Sequence, residues 1–310
     1  MAAEAERGDG VRVGYMGVGL MGHGAAKNIL EKGYPLTVLG NTHRAPVEDL
    51  VVRGAGEARN PAELAERCDV VFLCLPSTVE VERAVYGDHG ILAALRPGFI
   101  LIDSTTSDPV STRRIGADLR ARGADMIDAP LGRTPKEAEL GALSSFVGGE
   151  RATLDRVKPI IATFADTIVE AGPLGSGHTI KLLNNFLAMG TSAVVGEALA
   201  AAATLGVDMN IFREVVATGG ANSVMFQRYA HWMLEGDDSH LQGTMRIAHK
   251  DLRYYRKMAD EARLYTTMAE AASQVYQIAN QLGHAKQFMP VLPSVLASFA
   301  DGKPRELPKR

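Results

Sequence analysis

Three glycines lie in a short turn between a β-branched run and a helical pattern. The residues Gly17-Val18-Gly19-Leu20-Met21-Gly22 have the spacing G-x-G-x-x-G. Glycines permit a tight turn and let the backbone approach a pyrophosphate, while the following helix supplies free N–H groups and its positive dipole end. Because the turn opens the first predicted βα unit, we interpret it as a dinucleotide-binding turn rather than a plain connection.

The residues after the second predicted strand bear on which dinucleotide binds. A carboxylate there would bind the 2′-hydroxyl of NAD and repel a 2′-phosphate. The chain reads Asn41, Thr42, His43 and Arg44, and no acidic residue follows until Glu48. Because Asn41 and Thr42 offer donors and Arg44 can pair with phosphate, we predict NADP as the cofactor. NAD remains the alternative if Arg44 is only a solvated residue at the start of the next helix.

A lysine and an asparagine lie four residues apart at the start of a long apolar pattern. On a helix, Lys181 and Asn185 would share one face, with His178 on the same side three residues before the lysine. An ammonium held near a carbonyl oxygen can stabilise and protonate the alkoxide that forms when a hydride arrives. Spacing alone does not distinguish this role from that of an ordinary solvated lysine.

The elements that must position these residues show two patterns along the chain. Up to residue 172, short apolar runs alternate with helical patterns, and Asp69–Leu75 is apolar enough for a strand buried on both faces. After the breaker cluster Gly172–Gly177, only helical patterns remain. We therefore predict a Rossmann-type, doubly wound, mainly parallel sheet in residues 11–172 and an all-α C-terminal domain in residues 176–299. Residues 1–10 and 300–310 are expected to be flexible tails.

Composition argues against several classes of function. The 33 basic and 36 acidic side chains leave a formal net charge of −3, which gives no chain-wide basic field for nucleic acid or an anionic membrane. Two cysteines do not make a disulfide scaffold, and the histidines look too scattered for a metal site. The N-terminal residues lack a secretory signal, and the apolar stretch 182–207 is rich in Ala and Gly, which favours a buried helix over a membrane span. A cytoplasmic location is expected.

Four motifs occur in a characteristic order, and a shorter fifth follows them. They are the glycine turn, Asp103-Ser104-Thr105-Thr106, Asp128-Ala129-Pro130, Gly175-Ser176-Gly177-x-x-x-Lys181-x-x-Asn184-Asn185, and Lys250-Asp251-Leu252. In this order the chain resembles the β-hydroxyacid dehydrogenases, the family that includes 3-hydroxyisobutyrate dehydrogenase and tartronate semialdehyde reductase. The resemblance extends from about Val11 to Phe299.

The resemblance implies roles for particular residues. Lys181 would be catalytic, with Asn185 orienting the substrate and Asn184 beside it. Cofactor contacts would come from Leu75, Pro76, Thr105, Thr106 and, near the nicotinamide, Lys250. Helix capping is the alternative for the two threonines, and an ordinary surface charge is the alternative for Lys250. A homodimer or homotetramer is also implied.

One motif departs from the family pattern. The usual continuation Asp-Ala-Pro-Val-Ser-Gly-Gly holds the substrate carboxylate through serine and glycine backbone, whereas this chain continues Leu131-Gly132-Arg133-Thr134. A guanidinium can hold an anion through two parallel hydrogen bonds. The Gly-Arg-Thr form resembles the sulfolactaldehyde reductase branch, although that branch would carry an acidic residue after the second strand. We predict that Gly132, Arg133 and Thr134 bind a sulfonate or carboxylate, with an exposed loop arginine as the alternative.

Taken with the family, these residues imply an NAD(P)-dependent oxidoreductase that interconverts a short anionic 3-hydroxy acid and its semialdehyde, with Lys181 as general acid and base. Two other functions share this architecture: an imine reductase, which generally lacks the lysine, and a catalytically inactive cofactor-binding scaffold. Intact Lys181 and Asn185 argue against both.

Overall fold

The computed structural model describes residues 10–40 and 42–301. The chain divides into two compact units between Lys181 and Leu182. The predicted boundary lies slightly earlier, at the breaker cluster Gly172–Gly177, because the first turns of the helix that begins at Ser176 belong to the first unit. Of the predicted tails, residues 1–9 and 302–310 lie outside the described residues, and the last helix continues through residues 300 and 301.

The first unit is a sheet flanked by helices. Its strands, within the described ranges, are β1 (Val13–Met16), β2 (Leu36–Leu39), β3 (Gly56–Glu57), β4 (Val70–Leu73), β5 (Ile100–Asp103), β6 (Asp125–Asp128), β7 (Leu131–Gly132), β8 (Leu143–Gly148) and β9 (Ala165–Gly172). Its helices there are α1 (Gly22–Glu31), α2 (Ala45–Val52), α3 (Pro61–Arg67), α4 (Thr78–Tyr86), α5 (Pro109–Arg120), α6 (Pro135–Glu139) and α7 (Arg151–Ile161). Helix α8 (Ser176–Thr204) begins in this unit and continues into the second.

The sheet is parallel over most of its width. Strands β3, β2, β1, β4, β5 and β6 are parallel neighbours in that order. β6 and β7 then pair antiparallel with β8, and β9 is parallel to β8. This confirms the predicted doubly wound, mainly parallel sheet. The register aligns Met16, Leu73, Asp103 and Asp128 at the carboxyl ends of neighbouring strands, the edge where such folds bind ligands.

Strand β4 shows how the apolar run is used. Val70 and Phe72 pack into the core on one face of the sheet, and Val71 and Leu73 pack into the core on the other. Phe72 is fully buried and stacks on Tyr15 with ring centroids 5.6 Å apart. Burying such a side chain stabilises the fold by about 1.5–3 kcal/mol. A central strand covered on both faces therefore needs the unbroken apolar sequence that predicts it.

Three helices of the first unit are not predicted by the sequence patterns. Helix α4 has valines alternating with glutamates, which is a strand-like pattern, but Ser77 accepts the Val79 N–H and starts a helix there. Helix α7 contains Pro159 close to its C-terminal end. Helix α6 has only five residues and is too short for a clear period.

The second unit is helical in the described part of the chain. Besides most of α8 it contains α9 (Met209–Ala217), α10 (Val224–Glu235), α11 (Met245–Glu261), α12 (Thr267–Ala279) and α13 (Leu292–Asp301). Its core includes the buried Leu199, Tyr229, Trp232, Leu252 and Tyr276. The predicted all-α second domain is confirmed.

Among the described residues, one helix, α8, is long and apolar enough to cross a membrane. Of its most apolar window, 44% is buried inside the protein. Its beginning approaches the sheet closely, because a Cβ on Gly177 would lie 2.2 Å from the carbonyl oxygen of Phe146. Packing of this kind is typical of a core helix joined to its own domain.

We expect opposite effects from one substitution at two places in α8. Gly177→Ala should lower the free energy of unfolding by about 2 kcal/mol or more, because the added methyl overlaps a strand carbonyl. Gly190→Ala should raise it by about 0.5–1 kcal/mol, because only Phe186 lies near, at 3.6 Å, and alanine favours the helix. Urea unfolding of both variants measures the difference. Equal effects would contradict the close approach of α8 to β8.

Candidate active site

The glycine turn has room for a ligand on one side and none on the other. Gly17 has φ +97°, and a Cβ there would lie 2.2 Å from the Cys74 carbonyl oxygen. A Cβ on Gly22 would lie 2.0 Å from the Gly17 carbonyl oxygen. A Cβ on Gly19 would meet nothing within 4 Å. The first and third glycines are therefore required by packing, whereas the second leaves backbone open to a bound group.

The start of α1 is suited to an anion. No side chain of the described residues caps this helix at Met21, whereas Asn60 caps α3 and Asp108 caps α5. The His23 N–H donates to the Gly19 carbonyl oxygen at 2.9 Å, and the positive dipole end of the helix favours an anion such as a pyrophosphate. Of the other predicted turn residues, Val18 is buried and Leu20 is exposed. This arrangement fits a dinucleotide.

Arg44, predicted to bind a 2′-phosphate, is held by a carboxylate of the chain itself. Its Nη1 and Nη2 donate to the two carboxylate oxygens of Glu57 in β3, at 2.7 and 3.0 Å. The guanidinium lowers the pKa of Glu57 below its usual value. Thr42 is exposed, and Asn41 lies outside the described residues. Sequence reasoning missed Glu57, because this acid lies on the next strand rather than at the end of β2.

Residues after β4 and β5 are tied together at the carboxyl edge of the sheet. The Thr105 hydroxyl accepts the Leu75 N–H at 2.9 Å. The buried Asp103 carboxylate accepts the Thr105 N–H and the Ser107 hydroxyl at 2.9 and 2.8 Å. Two of the predicted cofactor residues are therefore brought together. The others here, Pro76 and Thr106, are exposed and half-buried respectively.

Asp128 at the end of β6 caps helix α8. Its carboxylate is fully buried and accepts the N–H groups of Gly175 and His178, each at 2.7 Å. Burial raises the pKa of Asp128, while the His178 ring and the two N–H donors oppose that rise. The third family motif therefore supplies the group that fixes the beginning of the lysine-bearing helix.

The His178 ring joins that helix to the predicted cofactor loop. Its Nε2 lies 2.9 Å from the Thr105 carbonyl oxygen and donates to it, because a carbonyl oxygen only accepts. Its Nδ1 lies 2.8 Å from the Thr112 hydroxyl. Carboxylate oxygens of Asp103 and Asp128 each lie 3.8 Å from a ring nitrogen. We call these five residues the His178 cluster. Sequence spacing places His178 near Lys181 but gives no sign of these partners.

Lys181 and the two asparagines follow along α8. Lys181 is half-buried, three residues beyond His178 and therefore on the same helical face. One turn later, Asn185 is buried, and its Nδ2 donates to Asp251 at 2.7 Å. Asn184 is exposed, with its Nδ2 3.4 Å from the Asn185 side-chain oxygen. The fifth motif thus provides Asp251 as the residue that orients the Asn185 carboxamide.

The Lys250 side chain contacts two nearby residues of the same helix, Asp251 and Tyr254. Its Nζ is 3.2 Å from the Asp251 carboxylate and 5.4 Å from the centre of the Tyr254 ring. Asp251 is thus in contact with both Asn185 and Lys250. A cofactor contact for Lys250 stays a prediction.

In the segment that differs from the family pattern, Arg133 is bonded to other parts of the chain. The Arg133 guanidinium bonds to Asp166 at 2.7 Å, to the Thr167 hydroxyl at 3.1 Å and to the Ala142 carbonyl. Arg133 has φ +74°, a conformation that favours the glycine found here in the family pattern. The guanidinium would reach a substrate anion only if its pair with Asp166 opened.

Gly132 and Thr134 flank Arg133 and differ in their surroundings. Gly132 is buried in β7. Thr134 caps α6, and its N–H and hydroxyl both donate to Glu137. The threonine hydroxyl is therefore used by the helix cap rather than directed at a ligand.

Comparisons with known proteins agree with this geometry. Residues 12–172 match the NAD-binding domain of 6-phosphogluconate dehydrogenase, and residues 175–293 match the NAD-binding family of NADP-dependent 3-hydroxyisobutyrate dehydrogenase. The chain is 31% identical to a probable 3-hydroxyisobutyrate dehydrogenase-like protein of Arabidopsis thaliana, over 73% of this chain and 70% of the relative. The chain belongs to the β-hydroxyacid dehydrogenase family. It is thus an NAD(P)-dependent oxidoreductase of that family, as the sequence motifs predict.

Two further relatives of this dehydrogenase cover nearly the whole chain. It is 29% identical to the 3-sulfolactaldehyde reductase of Escherichia coli strain K12, over 89% of this chain and 92% of the relative. The crystal structure of 3-hydroxyisobutyrate dehydrogenase from Salmonella typhimurium has 25% identity and a TM-score of 0.80, and covers 92% of this chain and 99% of its own. The chain and these relatives therefore share the sheet domain and the helical domain of the family.

We expect the Asp128 cap to be costly to remove. Asp128→Ala should lower the free energy of unfolding by about 3 kcal/mol, because it leaves the buried N–H groups of Gly175 and His178 without an acceptor. Asp125→Ala is the matched control on the same strand: it removes one hydrogen bond, from Thr153, and should cost about 1 kcal/mol or less. Denaturant unfolding compares them, and equal losses would show that the cap is not a principal support.

Proposed function

We propose that this dehydrogenase interconverts a short 3-hydroxy acid, carrying a carboxylate or a sulfonate, and the corresponding semialdehyde, with Lys181 donating and accepting the proton. One observation carries the proposal. The helix that bears Lys181 begins on Asp128 and is joined through His178 to the Thr105 carbonyl, in the loop that is predicted to bind the cofactor.

The dinucleotide, when bound, supplies or accepts the hydride. The open backbone at Gly19 and the uncapped start of α1 would hold its pyrophosphate. In the direction of reduction, the Lys181 ammonium donates a proton to the substrate oxygen as negative charge develops there. In the direction of oxidation, the neutral amine accepts that proton from the hydroxyl.

Asn185 orients the substrate in this proposal. Its Nδ2 is held by Asp251, so the carboxamide has a fixed direction before the substrate binds. The second hydrogen on Nδ2 and the free lone pair of its oxygen then remain for the substrate hydroxyl and carbonyl. Fixing the reacting group in this way lowers the entropic part of the barrier.

The substrate anion is assigned to the segment Gly132–Thr134. The E. coli relative that covers most of this chain is named for a sulfonated aldehyde, 3-sulfolactaldehyde. Arg133 would hold a sulfonate or carboxylate through its guanidinium after exchanging Asp166 for the substrate. We also propose NADP as the cofactor, bound when Arg44 exchanges Glu57 for the 2′-phosphate. A homodimer or homotetramer stays a prediction.

Exchange of the Lys181 side chain tests the reaction. Lys181→Met should lower kcat by about 10²–10⁴-fold, because it removes the proton donor, and should leave cofactor affinity within about twofold. Activity is measured with sulfolactaldehyde, succinic semialdehyde and glyoxylate, each with NADPH and NADH. Cofactor affinity is measured by quenching of protein fluorescence.

The matched control for this test is Lys158→Met, which replaces a half-buried lysine of α7 that pairs with Glu170. This variant should keep full activity. An active Lys181→Met enzyme, or a wild type inactive on every aldehyde acid, would overturn the proposal.

Glu57 is expected to set the balance between the two cofactors. Glu57→Gln removes the charge that holds Arg44, so the affinity for NADP should rise several-fold and that for NAD should change little. Titration with each cofactor gives the ratio of dissociation constants. Glu66→Gln, an exposed acid on α3, is the control. An unchanged ratio in Glu57→Gln would mean that Arg44 does not meet the 2′-phosphate.

A further inference from the structure

Two histidines that look scattered in the sequence meet at one aspartate in the second unit. His231 is on α10, and Asp237 and His240 are on the loop that leads from α10 to α11. The Nε2 atoms of the two histidines lie 3.4 and 3.5 Å from the same oxygen, Oδ2 of Asp237. The structure thus brings together two histidines that the sequence analysis describes as scattered. The spacing H-x5-D-x2-H was the available signal.

We propose that His231, Asp237 and His240 form a zinc site. Their ligand atoms all lie within 4.8 Å of one another. Zinc bonds of about 2.0–2.1 Å at tetrahedral angles separate two ligand atoms by about 3.3 Å, close to the two nitrogen–oxygen distances here. Ordinary N–H···O hydrogen bonds are shorter, with a mode of about 2.9–3.0 Å. The His231 contact is thus a long hydrogen bond, and both nitrogen–oxygen distances match those expected around a shared cation.

Two of the three ligands, Asp237 and His231, are held by the surrounding structure. Both Asp237 oxygens accept hydrogen bonds from Ser239, Oδ1 from its N–H at 2.8 Å and Oδ2 from its hydroxyl at 2.9 Å, which fixes the orientation of the carboxylate. His231 is on a helix whose neighbouring residues Tyr229, Ala230 and Trp232 are buried. The two imidazole rings are nearly perpendicular, with centroids 4.9 Å apart. A backbone held in this way reduces the entropy lost on binding.

The donor set selects the kind of metal. Two imidazole nitrogens and one carboxylate oxygen suit Zn²⁺, whereas Mg²⁺ and Ca²⁺ prefer six or more oxygens. Three protein ligands would leave a fourth position for a water molecule. The ion would connect the loop to α10 and so stabilise the segment that leads into α11, where Lys250 and Asp251 lie.

Zinc titration of the untagged, full-length chain tests the site. After treatment with a chelator, the wild type should bind one Zn²⁺ per chain in competition with a chromophoric zinc indicator, and its Tm should rise with free zinc. Both His240→Gln and Asp237→Asn should weaken binding by at least about tenfold and abolish the rise in Tm. Both changes are at exposed positions and keep polar side chains, and circular dichroism verifies folding.

His89→Gln, an exposed histidine of the first unit, is the matched control and should bind zinc as the wild type does. A crystal soaked in zinc should show an anomalous peak between the three ligand atoms. Binding that is equally tight in wild type and in the Asp237→Asn, His240→Gln double variant would overturn the proposal. So would a wild type that binds no zinc.

Discussion

The buried carboxylate of Asp128 is the constraint on which the rest of this site depends. A charge removed from water costs several kcal/mol unless the protein supplies compensating partners. Here two backbone N–H groups at the start of α8 point at the carboxylate, and the His178 ring lies 3.8 Å from it. Helix α8 therefore cannot begin elsewhere without leaving that charge uncompensated. Because Lys181 lies less than one turn beyond His178, its backbone has a fixed position relative to β6.

The same network extends from α8 to two more strand ends. His178 bonds the Thr105 carbonyl after β5, and Thr105 in turn accepts the Leu75 N–H after β4. The ends of three neighbouring strands and the start of the lysine-bearing helix are thus one hydrogen-bonded assembly inside the first unit. The role proposed for Lys181 would need such support, because an error of about 1 Å in the position of a catalytic group can cost 10²-fold in rate. Packing of Gly177 against Phe146 adds a steric limit to the polar one.

The sequence predicts those structural features that depend on residues close together in the chain. The glycine turn, the apolar run of β4 and the lysine–asparagine spacing on α8 depend on neighbouring residues, so pattern and geometry agree. The partners of Arg44, Arg133 and Asn185 lie 13, 33 and 66 residues away and meet them only after folding. The same is true of the His178 cluster, whose members come from three separate segments. Motif reading found Asp128 and Asp251 as part of the family resemblance, without the contacts that explain them.

Arg44 and Arg133, the two arginines expected to bind anions, are each paired with a carboxylate of the chain. Arg44 is held by Glu57 and Arg133 by Asp166, and all four side chains are more than a third exposed. Exposed ion pairs of this kind contribute little to stability, so opening them is easy. Each carboxylate still keeps its guanidinium ordered, and an incoming anion must bind the guanidinium more strongly than that carboxylate does. A dianionic 2′-phosphate displaces the carboxylate more readily than a singly charged group does. Selectivity at both ends of the site would then come from competition with the chain's own carboxylates.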